Sequence, residues 1–330
     1  MSDRGVHTCL VLEPGGTSRV LASSDLGDIS KLRAEPDTIV WLDIADPQDD
    51  DIGLLQREFD LHPLAVEDLR ARRQRVKIDT YANLHVVVAY ETRKPRGGRS
   101  FDLGELHLIA APDSLVSIHW GASPSIEDVR QRVQQRGDRV GHSVGAVLYA
   151  VLDTVVDGYF PLLDRLSDRI DRLEDRIVRG EQGGTTQRDV LAIKRELLEL
   201  RRVLAPQRDV ANALLRRDVA LIDDHAAPYY QDLYDHLVRV LDQLDLYRDL
   251  IGSTLDANLS VTSNNLNEVM KRLTAFTVVI MLPTLVASIY GMNFRGMPGL
   301  DSPLGFWISI GVMVLLAVLA AAYFRAKDWF

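Results

Sequence analysis

The spacing of apolar residues changes twice along this chain. Up to about residue 140 they fall in short blocks separated by turn formers. Thr38–Asp46 (TIVWLDIAD) and Leu84–Thr92 (LHVVVAYET) are β-branched and apolar, which predicts strands. Glu105–Trp120 (ELHLIAAPDSLVSIHW) predicts two more, joined by a turn at APDS. Gln48–Leu61 and Pro63–Ala71 predict short helices, the first opening on an acidic turn. From about Ser143 the period lengthens. Val147–Gly180 and Thr185–Arg217 carry apolar residues at three-to-four spacing, with GEQGG between them, and predict a helical hairpin with Pro206 as a kink or break. A third helix starts near Pro228 and meets no breaker before Pro283. If it continues to Tyr290 it is ~90 Å long at ~1.5 Å per residue.

The second change is a loss of charge. Leu273–Phe294 and Ser302–Phe324 contain no Asp, Glu, Lys, Arg or His, and each can cross a bilayer core, which takes roughly 20 helical residues. The third helix is thus longer than a membrane requires, so its remainder is expected to form a stalk. Lys271 and Arg272 precede the first span, Arg325 and Lys327 follow the second, and the loop between carries one Arg295 and one Asp301. The positive-inside rule then places both ends in the cytoplasm. The expected divisions are an α/β domain (1–142), a helical hairpin (143–227), a stalk helix (228–272), a first span (273–293), an outer loop (294–304), a second span (305–324) and a tail (325–330).

A polar stripe runs up the stalk into the first span. Asp256, Ser260, Ser263, Asn267, Met270, Thr274, Thr277, Met281, Thr284, Ser288 and Gly291 are spaced four and three in alternation, a heptad seam. A packing seam would carry Leu, Ile or Val. A polar seam inside a span must face protein or water rather than lipid. Small residues that let helices pack closely, or a polar seam that sets register, would explain parts of it. A water-lined pore built from several copies explains its whole length. Gly291, Met292 and Asn293 follow where that helix ends. A helix C-terminus carries about half a negative charge, Gly291 permits close backbone approach and Asn293 adds an amide oxygen. Such oxygens can accept hydrogen bonds from the waters that Mg²⁺ retains.

Composition narrows the picture further. The 330 residues carry a formal net charge of −9, which argues against a nucleic-acid partner. The single cysteine, Cys9, excludes an intramolecular disulfide and agrees with a reducing compartment. The N-terminal residues contain no long apolar run, so no secretory signal is expected. His62, His85, His107, His119 and Glu105 are scattered without the spacing of a zinc hydrolase, so an enzyme is not expected. The acidic face of Asp153, Asp157, Asp164, Asp168, Asp171, Glu174 and Asp175 reads as solvated surface.

NEVMKRLT (Asn267–Thr274), followed by a span containing Pro283 and ending in YGMN, resembles the CorA-type divalent metal transporter family. LHPLAVEDL (Leu61–Leu69), RELLELRRVLAPQRDV (Arg195–Val210) and YYQDLYDHLVRVLDQLDLYRDL (Tyr229–Leu250) are similar to it too, so the resemblance covers nearly the whole chain. It implies an α+β membrane protein, a funnel-shaped homopentamer with a cytoplasmic α/β domain, a pore-lining stalk helix and a second, outer span. It implies transport of Mg²⁺, with Co²⁺ and Ni²⁺ as further ions and no organic cofactor. Gly291, Met292 and Asn293 would form the selectivity site. Asn267, Met270, Leu273, Met281, Thr284 and Ser288 would line the pore, with Met270 and Leu273 at the constriction. The seam offers Thr274 where the family pattern offers Leu273. Asp232 matches a stalk position at which cytoplasmic Mg²⁺ closes family members, and Asp256 falls on the inner conduction path. The loop MPGLDSPLGFW leans toward the zinc-transporting ZntB branch, and Gly299 stands where an acid is common. A reading of another class is a membrane-anchored sensor or scaffold, which needs no polar seam.

Overall fold

The computed structural model describes residues 6–13, 17–21, 29–95, 100–135, 143–179, 184–216, 221–222, 225–292, 297–299 and 302–329. They fall into two compact units. One comprises Met1–Leu173 with Arg188–Ile251, the other Glu174–Gln187 with Gly252–Phe330.

The first unit is built on a seven-stranded sheet of β1 (Val6–Glu13), β2 (Thr17–Leu21), β3 (Ile39–Ala45), β4 (Lys77–Tyr81), β5 (Leu84–Arg93), β6 (Asp102–Ala111) and β7 (Ser114–His119). Its order is β2-β1-β3-β7-β6-β5-β4. Only β3 and β7 pair in parallel, in the register Trp41↔Leu115, Asp43↔Ser117, Ala45↔His119. Six of the seven residues of β3 are buried because both faces of the sheet are covered, which is why it reads as an unbroken apolar run rather than an alternation. The expected strands at Thr38–Asp46, Leu84–Thr92 and Glu105–Trp120 are β3, β5 and the β6–β7 hairpin.

Helices α1 (Ile29–Arg33), α2 (Asp49–Glu58) and α3 (Pro63–Ala71) cover one face, where Ile52, Leu55 and Leu69 pack on Val40, Leu42, Val86 and Ile109. Arg33 fixes α1 to the β6–β7 turn, Nε and Nη2 each donating to an Asp113 carboxylate oxygen at 3.1 Å. The other face carries α4 (Pro124–Gln135) and α5 (Val144–Asp157), with α5 lying over β5, β6 and β7.

The long apolar-periodic stretch after Ser143 is two helices, α5 and α6 (Phe160–Val178). They separate at Gly158 and Tyr159, where the buried Tyr159 hydroxyl donates to the Tyr90 carbonyl of β5 at 2.6 Å. Helix α7 (Gly184–Leu215) returns and runs through Pro206 without a break. The proline costs one backbone hydrogen bond, and the buried neighbours Leu200, Leu204, Gln207 and Val210 hold the helix in place. Helix α8 (Ala227–Tyr290) has 64 residues, ~96 Å of helix. Helix α9 is Gly305–Ala326.

A buried carboxylate of β5, paired with its neighbour Arg93, ties the strand to the start of α4. Glu91 is fully buried, and its carboxylate accepts from Arg93 Nε at 3.0 Å, Ser123 Oγ at 3.0 Å and the Ser125 N–H at 3.2 Å. Arg93 reaches it by lying across Gly104 of β6, and a methyl at Gly104 would occupy the guanidinium's space. We expect Gly104→Ala to displace Arg93 and leave Glu91 uncompensated, costing on the order of 3 kcal/mol. A thermal unfolding midpoint equal to that of wild type would refute this.

Candidate functional site

The second unit holds the polar seam. Every seam position from Asp256 to Gly291 is exposed on a single chain, including Met270 at 58% and Leu273, beside the seam, at 59%. The apolar faces are exposed as well, Leu266, Phe276, Ile280, Leu285 and Ile289 among them. Among the described residues of the first span only Ala275 is buried. A helix in this condition requires lipid on its apolar side and protein or water on its polar side.

The seam threonines share one geometry. Thr274 Oγ1 donates to the Met270 carbonyl, Thr277 to Leu273 and Thr284 to Ile280, each at 2.8 Å. Each hydroxyl proton is therefore committed to its own helix. What faces outward is oxygen lone pairs, which can accept but not donate. A stack of acceptors suits the hydrogens of a hydrated cation's water shell.

At the top of α8, the Gly291 N–H donates to Ala287 O at 2.9 Å and the Met292 N–H to Ile289 O at 3.2 Å, so the last turn tightens. A Cβ on Gly291 would come within 3.2 Å of Ala287 O. Met292 is half exposed, and Asn293 lies outside the described residues, as does Asp301. Gly299 has φ +87° and its carbonyl lies against Gly305, so the position where the family pattern has an acid holds a backbone conformation that favours glycine.

The seam also extends further down α8 than its sequence reading began. In the same four-three register, Asp235, Arg239, Asp242, Leu246, Asp249 and Ser253 precede Asp256, and all are exposed. Four aspartates thus recur at intervals of seven on one helical face. The signal was present in the sequence, but charged residues on a helix outside a membrane read as solvated surface.

In the first unit, Asp232 is exposed on α8 and does not stand alone. Its Oδ1 lies 3.7 Å from His236 Nε2, and His236 Nδ1 lies 3.8 Å from Asp153 Oδ1 on α5. One ligand atom from each of the three falls within 4.8 Å of the others. Asp153 Oδ1 and His236 Nδ1 are buried and have no hydrogen bond among the described residues. Burial, and then the charge of Asp157, raise the Asp153 pKa above the ordinary aspartate range. A partly buried acid with an unanswered oxygen, next to an imidazole and a second carboxylate, fits a divalent cation. Sequence reading found Asp232 but not its companions. Asp153 reads as one acid of a solvated face, and His236, four residues after Asp232 in YYQDLYDHL, carries no ligand signal of its own.

The family model for CorA-like Mg²⁺ transporter proteins matches residues 36–326. The chain belongs to this family. The cobalt/magnesium transport protein CorA of Thermotoga maritima is 32% identical over 313 residues, 94% of this chain and 89% of that one. The complete structure of the CorA magnesium transporter from Methanocaldococcus jannaschii superposes with a TM-score of 0.82 at 21% identity, covering 98% of each chain. The full-length CmaX protein superposes at 0.81 and 23% identity, covering 100% of this chain and 99% of that one. At those identities the structures show the fold alone, and both extend over the apolar helices as well as the α/β domain. A CorA-type chain is a membrane protein, and α8 and α9 each contain an 18-residue stretch apolar enough to cross a bilayer, of mean hydropathy 2.0 and 2.4. A third stretch, Val144–Val178, reaches 1.5, but half of it is buried within the protein.

Proposed function

We propose that this chain forms a homopentameric channel in the cytoplasmic membrane and carries a hydrated divalent cation, Mg²⁺ first and Co²⁺ and Ni²⁺ with it, into the cell. The observation that carries the reading is the exposed seam of α8, whose threonines offer only acceptor oxygens outward. Copies of α8 around an axis turn that seam into a column of acceptors. The apolar faces then meet lipid, neighbouring copies and α9. Asn267, Met270, Leu273, Thr274, Thr277, Met281, Thr284 and Ser288 line the conduit. Gly291, Met292 and Asn293 form its outer entrance. The aspartates from Asp235 to Asp256 line its inner approach, where rings of acid gather cations without holding them at the constriction. Lys271, Arg272, Arg325 and Lys327 support a topology with both termini in the cytoplasm.

Hard oxygen donors along the seam suit Mg²⁺, and no seam position supplies the histidine or cysteine that most zinc sites include. ZntB-like zinc transport is the second reading, favoured by the MPGLDSPLGFW loop. Proteoliposome flux of Mg²⁺, Co²⁺, Ni²⁺ and Zn²⁺, with and without a pH gradient, decides between them. Zinc flux that exceeds magnesium flux overturns the first reading. A sealed vesicle with no flux of any of the four overturns transport and leaves the membrane-anchored sensor.

The constriction follows from side-chain chemistry. Met270 and Leu273 place bulky apolar groups on the conduit, and an apolar ring can close a pore by excluding water. Met270→Ser and Leu273→Ser are expected to raise cation leak at high internal Mg²⁺. If neither variant leaks more than wild type, the gate lies elsewhere.

A further inference from the structure

The α/β domain carries a cavity that the transport reading does not use. It lies at the carboxyl ends of β3 and β7, the one parallel pair in the sheet. The chain leaves β3 toward α2 on one face and leaves β7 toward α4 on the other. In open α/β sheets, a place where adjacent parallel strands send their connections to opposite faces opens a crevice in which ligands bind. Here the crevice is a cavity of about 610 Å³ lined by Asp43, Arg93, Lys94, His119 and Arg130, among others.

Its charge is arranged for an anion. His119 is buried at the end of β7. Its Nδ1 faces the Gly121 carbonyl at 2.6 Å and its Nε2 faces Asp43 Oδ1 at 3.4 Å. With an acceptor at each ring nitrogen, the doubly protonated ring is the form the site holds best. Burial opposes that charge, but the hydrogen bond and charge of Asp43 and the Gly121 carbonyl outweigh it, and the His119 pKa is raised. Asp43 is occupied by Ser117 Oγ as well, at 2.6 Å, so it serves the strand ends. Arg93 comes in from β5 across Gly104, donates to the Trp120 carbonyl and balances Glu91. Arg130 reaches in from α4, bonded to Thr8 and paired with Glu127. Lys94 has no ion pair with another described residue and is exposed at the rim. The pairs Arg93–Glu91, Arg130–Glu127 and His119–Asp43 are each near neutral, which leaves Lys94 as uncompensated positive charge at the rim of a largely apolar cavity that Arg130 also lines. The first N–H groups of α4 are already taken by Glu91 and Ser123, so recognition falls to the side chains.

We propose that this cavity binds a small oxyanion, a phosphate- or carboxylate-bearing solute of the cytoplasm. Lys94 and Arg130 make the ion contacts, and the β3 and β7 ends form the floor. A cavity of this volume is within the range of small-molecule sites. The reading stands apart from the transport path, since none of its residues belongs to the α8 seam.

The test uses the full-length protein in lipid nanodiscs. Its unfolding midpoint is followed against inorganic phosphate and, separately, against succinate, with chloride at matched ionic strength as the reference. A saturable rise with either anion is expected, because a ligand that binds only the folded state raises the midpoint. The anion that gives it identifies the class. Lys94→Gln and Arg130→Gln are each expected to weaken the anion's affinity by about tenfold in calorimetric titration, while Asn293→Leu leaves it unchanged. Lys94 is exposed, so its variant keeps the fold even if Arg130→Gln does not. No midpoint shift beyond chloride with either anion, or wild-type affinity in Lys94→Gln, overturns the proposal.

Discussion

Asn293→Leu is expected to reduce Mg²⁺ uptake to the background of protein-free vesicles, while the protein still inserts and assembles. The argument begins at the end of α8. The last turn of a helix presents carbonyls that no helical N–H answers, and the axis dipole adds about half a negative charge there. Gly291 and Met292 tighten that turn through bonds to Ala287 and Ile289, and Asn293 follows directly. In the proposed ring of copies these carbonyls would face a common axis, and Asn293 supplies the amide oxygen that the sequence offers next. Mg²⁺ sheds water reluctantly, so it is recognised through the hydrogens of its shell. A carboxylate there would hold the ion too strongly for rapid release, whereas an amide oxygen accepts the same bonds without a full charge. Leucine has a similar size and no acceptor, so it removes recognition and keeps the packing. The measurement is ion flux into proteoliposomes, with assembly checked by size in detergent. Wild-type flux in an assembled Asn293→Leu protein refutes the assignment.

The two apolar helices were legible in the sequence because of contrast. Uncharged runs at Leu273–Phe294 and Ser302–Phe324 differ from everything before them, and a polar heptad inside one of them has few other uses. Backbone breaks were harder to read. Gly158 and Tyr159 end α5 because Tyr159 bonds to β5, a tertiary contact with no local signal. Pro206 reads as a break, yet α7 passes through it because buried neighbours on both sides hold the helix. Strands β1, β2 and β4 and helix α4 were not anticipated. Strand β2 is only five residues long, and α4 is mostly polar with four buried residues. Asp153 and His236 illustrate the limit on site prediction. They lie on different helices, and each is unremarkable until the fold sets one beside the other.

That pairing leads to the second large effect. Cytoplasmic Mg²⁺ is expected to protect the chain from protease with a midpoint that Asp232→Ala shifts to much higher concentration. Asp153, Asp232 and His236 offer two carboxylates and an imidazole within 4.8 Å. On the proposed closing role, a cation here would neutralise acids that otherwise repel, and it could favour closure only through higher affinity for the closed state. Proton competition gives the sign of the pH dependence. The Asp153 pKa is raised, first by burial and then by Asp157. Its carboxylate therefore takes up protons above the ordinary aspartate range, and a protonated acid or imidazole is a poorer ligand. Acidification from neutrality into that range should move the protection midpoint to higher Mg²⁺ in wild type, and less so in Asp153→Asn. The same raised pKa means that, without metal, the native state binds more protons than the unfolded chain. Stability then falls as pH rises from the ordinary aspartate value through the raised one, and bound cation offsets that loss. Asp256 makes the opposite prediction. It lies on the seam and outside this cluster, so Asp256→Ala should change conduction and leave the protease midpoint where it was. Equal midpoints for wild type and Asp232→Ala across the Mg²⁺ titration would remove the closing role from this cluster. A midpoint moved by Asp256→Ala instead would place the cation that closes the channel on the conduction path.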